Sequence, residues 1–371
     1  MEVFFNMMPI TINLDRNYFT PKEKVFAQNG DLRASLFLYD SGVHGIKIEN
    51  KLGYITVLPY QGQQIWDCNF LDRNLTMKSM FKEPIPNVDY LKSYGAFLLH
   101  CGATAMGVPS EKDSHPLHGE LPNAEYEKAW LQIGEDENGK YISVGGQYHH
   151  CIAFNTNYVA IPNIRVYENS SLIDVSISIE NLKKTDMELM YMMHINFRPV
   201  DNSEIIYTAD YTPEKVMVHD SLPSHMQTDS DSARLIKYLK DLKTKPELHH
   251  KLDPELPYDP EVVLIIKYNE DENGDAHSMQ LHPDGYASYV SHRPSELKYG
   301  VRWIARTKDE DAMGLVLPAT AGHRGYTKEK ELGNVEILPA GEKVEYHVRT
   351  GILSPEEAER MKQRILSLNN K

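Results

Sequence analysis

Leu172-Ile-Asp-Val-Ser-Ile-Ser-Ile-Glu-Asn181 alternates apolar and polar side chains along its length. Successive side chains of an extended chain lie on opposite faces. Val175, Ile177 and Ile179 therefore point one way, and Ser176, Ser178 and Glu180 the other. Such a strand has one face in a core and one in water, the pattern of an antiparallel sheet.

The same signal extends in both directions. Residues 187–197 are more apolar throughout and read as a strand covered on both faces. Upstream, short strands are expected over 35–39, 45–50 and 54–58, with a hairpin turn at 50–53. Residues 61–66 lead into another strand, and 69–74 form a turn. Further strands are read at 128–133 and 140–144, either side of the hairpin connection Glu135-Asp-Glu-Asn-Gly139, and at 149–154 and 163–167. Downstream they recur at 262–268, 278–281, 301–306, 314–317, 335–338 and 344–351. Many short strands separated by turns predict an all-β sandwich.

Residues 1–30 read as an irregular arm, and 31–371 as a single domain with an insertion near 208–262. The insertion holds one helix over 229–242, with Leu235, Tyr238, Leu239 and Leu242 at helical spacing. A C-terminal helix is expected after Ser354, where Pro355 and Glu357 supply a first-turn proline and a capping-box partner.

The chain has 371 residues, with 39 Lys and Arg against 53 Asp and Glu, a net charge of −14. That balance, with no basic stripe, argues against nucleic acid. No apolar run is long enough for a membrane helix, and the first ten residues do not form a leader. Three cysteines, Cys68, Cys101 and Cys151, imply no disulfide framework. A cytoplasmic protein is expected. No phosphate-binding loop or dinucleotide fingerprint occurs, so nucleotide chemistry has no support.

Residues 94–130 are dense in titratable groups. His100, Cys101, His115, His118 and Glu120 lie among Gly95, Gly102, Gly107, Gly119, Pro109, Pro116 and Pro122. The stretch reads as a loop that holds side chains at a surface.

Leu117-His118-Gly119 followed by Trp130 resembles the Leu-His-Gly element and later Trp of aldose 1-epimerases, the galactose mutarotase-like family. Ile177-Ser-Ile-Glu-Asn181, then His194-Ile-Asn-Phe197, resembles the family's strand ending in Asn and its His-x-x-Phe-Asn element. Ile337-Leu-Pro-Ala-Gly-Glu342 is similar to the segment before its last strand. These elements fall in the family's order over roughly residues 35–353, and look closest to a less-studied mutarotase-like branch.

The resemblance implies a β-supersandwich with a sugar cleft across one sheet, and interconversion of sugar anomers without a cofactor. A base takes the anomeric hydroxyl proton and an acid protonates the ring oxygen. His194 matches the family's proton donor and His118 its second histidine. The family's base, a late-strand Glu, has no counterpart: Val316 and Leu317 stand there. Glu120, beside His118, is taken as the base. His323 is the alternative, and a chain that binds sugars without epimerising them is the other outcome.

Sugar contacts are expected from Asn196, Arg198, Asn123, His100, Arg302, Trp303, Trp66, His323 and Arg324, which supply amides, forks, imidazoles and aromatic faces. Arg198 and Arg324 could grip an anionic group. Each residue also has a plainer reading: His194 as a satisfied core histidine, His118 as a turn brace, Glu120 as an exposed carboxylate, Trp66 and Trp303 as core. A metal-dependent sugar isomerase or lyase is the rival idea, with His100, Cys101, His149, His150 and Cys151 converging with His115 or His118. The expected partner is a small carbohydrate, and a homodimer is compatible with the sequence.

Overall fold

The computed structural model describes residues 8–219 and 232–369. Among these residues the chain forms two large antiparallel sheets, of nine and thirteen strands. Strand Leu172–Asn181 lies in the nine-stranded sheet between Thr156–Tyr167 and Lys343–Leu353. Its burial alternates as its sequence does, with Ile173, Val175, Ile177 and Ile179 in the main core. Each such side chain contributes roughly 1.5–3 kcal/mol when buried. A one-residue slip would drive Ser176, Ser178 and Glu180 inward instead, so the register is strongly fixed.

The larger sheet carries, in spatial order, Val216–His219, Val262–Ile266, Tyr299–Arg306, Asp311–Ala319, Met187–Ile195 and Leu98–Ala103, and continues through Ile65–Phe70. Its inner face packs on the other sheet, with Tyr191 stacked on Tyr346 across the sandwich at 5.0 Å between ring centroids. Its outer face carries two smaller apolar clusters, around Trp66 and Tyr94 and around Cys101 and Met192. Both faces of Met187–Ile195 are thus covered, as its sequence predicts.

Several expectations are corrected. The arm contains two strands: Ile10–Asn13 pairs with residues 130–133, and Lys24–Asn29 edges the larger sheet. The 94–130 stretch is not all loop, because Leu98–Ala103 is a strand with every residue buried. The insertion contributes an edge strand, Val216–His219, paired with Val262–Ile266. Its helix runs Ser232–Thr244, with Leu235, Tyr238, Leu239 and Leu242 buried; residues 229–231 of the expected helix lie outside the described residues. The C-terminal helix, Pro355–Asn369, is capped as expected: the Ser354 backbone N–H and hydroxyl donate to Glu357 at 2.9 and 2.6 Å.

Candidate functional site

The outer face of the larger sheet is the floor of a cavity of about 570 Å³. Alternation selects which side chains reach it. Met192 and His194 come from one strand, Val301, Trp303 and Ala305 from another, and Leu317 from the strand between them. Val263 lies directly opposite Trp303 in the sheet. Glu261, two residues earlier, therefore falls on the same face. Loops supply the walls, including Tyr90, Tyr94, Leu117, His118 and His323.

His194 is 4 % exposed. Its Nδ1 lies 2.8 Å from Asn196 Oδ1. Asn196 is held the right way round, because its Nδ2 donates to the Ala96 carbonyl at 2.9 Å while Oδ1 accepts from the Tyr94 hydroxyl at 3.0 Å. An amide oxygen can only accept, so His194 carries its proton on Nδ1. Nε2 keeps its lone pair and has no hydrogen-bond partner among the described residues. Burial lowers the His194 pKa to about 4, against the smaller raising effect of the Asn196 bond. The imidazole is neutral at pH 7, with Nε2 able to accept a proton.

His118 meets His194 edge to face, with centroids 5.3 Å apart, and lies 4.8 Å from Tyr90. Its backbone has φ +60, and Gly119 follows at φ +82. A Cβ on Gly119 would come within 2.2 Å of the Ala105 carbonyl, so only glycine fits this close approach. The His118 N–H donates to Gly107 O at 3.0 Å, and the Val108 N–H to His323 O at 2.8 Å, which ties the two histidine loops together. His323 is pushed down to about 3 by burial, then by His219 and Arg324. The His219 ring is 4.5 Å away.

The carboxylate that sequence reading missed is Glu261. Its Oε2 accepts the Trp303 indole N–H at 2.7 Å. The Trp303 ring in turn lies 5.6 Å from the His194 ring. One indole thus separates the carboxylate from the imidazole. Burial raises the Glu261 pKa above the ordinary carboxylate range, opposed by the indole bond. The one signal in the sequence was an isolated Glu immediately before the all-apolar Val262-Val-Leu-Ile-Ile266.

Val316 and Leu317, where the resemblance puts the family's Glu, face opposite ways. Val316 turns into the main core, while Leu317 lines the cavity with an apolar side chain. Glu120, read as the base, is not among the residues that line the cavity. Its carboxylate accepts from Ala103 N–H (3.2 Å), Thr104 N–H (3.0 Å), the Thr104 hydroxyl (2.9 Å) and the Tyr158 hydroxyl (2.7 Å). It closes a loop onto the sheet.

The other expected contacts divide sharply. His118, His194, His323 and Trp303 come together in the cavity, and Asn196 stands behind His194. Arg302 does not reach it. One residue from Trp303, it points to the opposite face, where it is fully buried against the Tyr207 ring, donating to Leu315 O and the Tyr268 hydroxyl, with its Nη1 2.7 Å from His249 Nε2. His100 likewise faces the inter-sheet core, its Nδ1 2.6 Å from the Tyr191 hydroxyl. Trp66 packs in the cluster beneath, and Asn123 accepts from Gln64 and Ser93. Arg198 lies in a separate recess with Arg73, Lys78 and Arg306, and exposed Arg324 is outside the cavity lining. His100, Cys101, His149, His150 and Cys151 do not converge with His115 or His118. Among the described residues no three His, Cys, Asp or Glu side chains stand close enough to hold an ion.

A family model described as a domain of unknown function, DUF4432, matches residues 40–220. No curated protein matches the chain. Solved structures do match over nearly its whole length. One is a "putative aldose 1-epimerase" from Klebsiella pneumoniae, with a TM-score of 0.76 at 16 % identity, covering 97 % of this chain and 92 % of that one. Another is a galactose mutarotase-like protein from Clostridium acetobutylicum, with a TM-score of 0.58 at 13 % identity over 88 % and 100 % of the two chains. A third, also galactose mutarotase-like, is from Lactobacillus casei, with a TM-score of 0.53 at 12 % identity over 83 % and 100 %. The sandwich is therefore the galactose mutarotase-like fold, as the sequence elements implied.

Proposed function

We propose that this chain, built on the galactose mutarotase-like fold, is an aldose 1-epimerase-like isomerase that binds a reducing sugar and opens and closes its ring. The observation that carries the reading is the line His194–Trp303–Glu261. It sets an imidazole with a free lone pair and a carboxyl with a raised pKa one indole apart in a buried cavity.

Ring opening needs one group to take the anomeric proton and another to protonate the ring oxygen. A pair holding one proton between them does both. The low pKa of His194 and the raised pKa of Glu261 favour the proton on Glu261. His194 Nε2 then accepts the anomeric hydroxyl proton while Glu261 donates to the ring oxygen. The C1–O5 bond breaks, an aldehyde forms, and rotation about C1–C2 precedes closure by the reverse transfers. A bound sugar displaces water and pushes the Glu261 pKa up further. His118 is placed to hydrogen-bond the developing charge.

The test is anomer exchange, followed by NMR or optical rotation, on fresh reducing sugars with the wild type and His194→Ala. Acceleration by the wild type and its loss in the variant support the reading; no acceleration for any sugar contradicts it. A second reading, sugar binding without turnover, draws on apolar Leu317, which lines the cavity where the resemblance puts the family's base. It is the outcome in which sugars bind and their anomers do not exchange faster.

A further inference from the structure

We infer that the cavity selects an uncharged reducing sugar bearing an apolar substituent away from its anomeric carbon, and rejects sugar phosphates and sugar acids. This rests on the reading that the anomeric carbon sits at His194. It draws on features of the cavity that the acid–base pair does not use.

The first is depth. His194 is 4 % exposed and marks the floor, whereas Met80 and Leu91 line the same cavity at 67 % and 52 % exposed and mark its mouth. A sugar with its reacting end on the floor points its far end at these two side chains, with Phe81 and Val108 also in the lining. A far end that carries only hydroxyls leaves these four apolar side chains without apolar contact. An alkyl or acyl arm would instead bury its own apolar surface.

The second is the choice of polar groups. No arginine, asparagine or glutamine lines the cavity among the described residues. Those side chains grip vicinal hydroxyls and anionic groups. Asn196 has the amide chemistry, but its oxygen and nitrogen are committed to His194, Tyr94 and Ala96. Among the described residues, an anionic group therefore meets no guanidinium or amide donor in the lining.

The third is charge. Among the described residues, Asp259, Glu261, Asp309 and Glu310 line the cavity, against one lysine or arginine, Lys308. Glu310 is pulled toward its neutral form by burial, opposed by the Met80 N–H, and Glu261 likewise by burial. A further anionic group brought among them meets like charge within a Debye length of about 8 Å at physiological salt. The cationic side chains that could have balanced it, Arg198 and Arg302, lie in the separate recess and in the core.

The test uses the full chain and four reducing ligands: glucose, 6-O-butyrylglucose, glucose 6-phosphate and glucuronic acid. Affinity is measured by ligand-observed NMR titration, and anomer exchange is followed on the same samples. The butyryl ester is expected to bind about tenfold or more tighter than glucose, from burial of its propyl chain. The phosphate and the uronate are expected to bind more weakly than glucose. In Met80→Ser/Leu91→Ser, two exposed positions whose change does not threaten the core, the ester's advantage over glucose is lost. Phosphate or uronate binding as tightly as glucose overturns the inference, as does an ester no tighter than glucose, or no binding by any of the four. The two proposals fail separately. The expected affinity order without faster anomer exchange keeps the ligand class and removes the isomerase; exchange accelerated equally for all four removes the ligand class and keeps the isomerase.

Discussion

Trp303 donates its indole N–H to Glu261 at 2.7 Å and lays its ring 5.6 Å from that of His194. A single side chain therefore fixes the carboxyl and sets its distance from the imidazole. Glu261→Gln keeps an acceptor for the indole and the shape of the side chain, but cannot exchange a proton. It is expected to lower kcat by roughly a hundred- to ten-thousand-fold, with KM far less affected. Steady-state kinetics on the variant check this.

Activity should also respond to pH through the same pair. With His194 neutral above about pH 4 and the proton on Glu261, the active form is lost as Glu261 deprotonates. kcat/KM of the wild type is expected to fall with rising pH above the raised carboxyl pKa, and Glu261→Gln to lose that limb. A wild-type profile that instead rises toward pH 8 would contradict a required proton on Glu261.

Asn196 positions His194 without facing the ligand. Asn196→Ala leaves both the His194 Nδ1–H and the Tyr94 hydroxyl without their acceptor. It should cost about 1–3 kcal/mol of stability and allow the second imidazole tautomer, visible in the ring nitrogen shifts by NMR. Asn196→Asp places a negative charge on Nδ1, so the His194 pKa should rise. A purely structural role would not move that pKa.

Glu120 is a brace. Glu120→Gln replaces an acceptor of four hydrogen bonds with a group that itself donates. The expected loss is about 1–3 kcal/mol of unfolding free energy, measured by denaturant titration. The loss of kcat should be far smaller than in Glu261→Gln.

Acid lability should follow from the buried histidines. Burial lowers His100 to about 3, His194 to about 4 and His292 to about 3. Unfolded, each titrates near 6.5, so the unfolded chain binds more protons between those values and stability rises with pH across that window. The contribution is fully present above pH 6.5 and is lost progressively as pH falls toward 3–4. At pH 5.5 each of the three should cost about 1.4 kcal/mol relative to neutrality. Half-exposed His347, raised chiefly by its hydrogen bond to Glu296, acts in the opposite sense and weakly. Melting temperatures between pH 8 and 5 check the sign.

How much of this was legible varies with the range of the interaction. The alternation in Leu172–Asn181 reports a local rule, and its burial follows it residue by residue. The pairing of His118 with His194 was carried by the order of known sequence elements. Arg302 and Trp303 show where legibility ends. Neighbours on one strand face opposite ways, and the phase is set by sheet pairing and by an irregularity in register between Val301 and Trp303. His100 failed for the same reason, once its loop proved to be a strand. Glu261 could not be found from spacing at all. It reaches the cavity because its strand pairs with one some forty residues later, and that one in turn neighbours the strand of Val316 and Leu317.

The central claim is that Glu261 and His194 act together on the anomeric centre. Its most direct measurement is the anomer exchange rate of a reducing sugar, by exchange NMR at fixed pH, for the wild type, His194→Ala, Glu261→Gln and Glu120→Gln. The account predicts acceleration by the wild type, its retention in Glu120→Gln, and its collapse in the other two. Full activity in Glu261→Gln with collapse in Glu120→Gln would contradict it and return the second proton-transfer role to the loop.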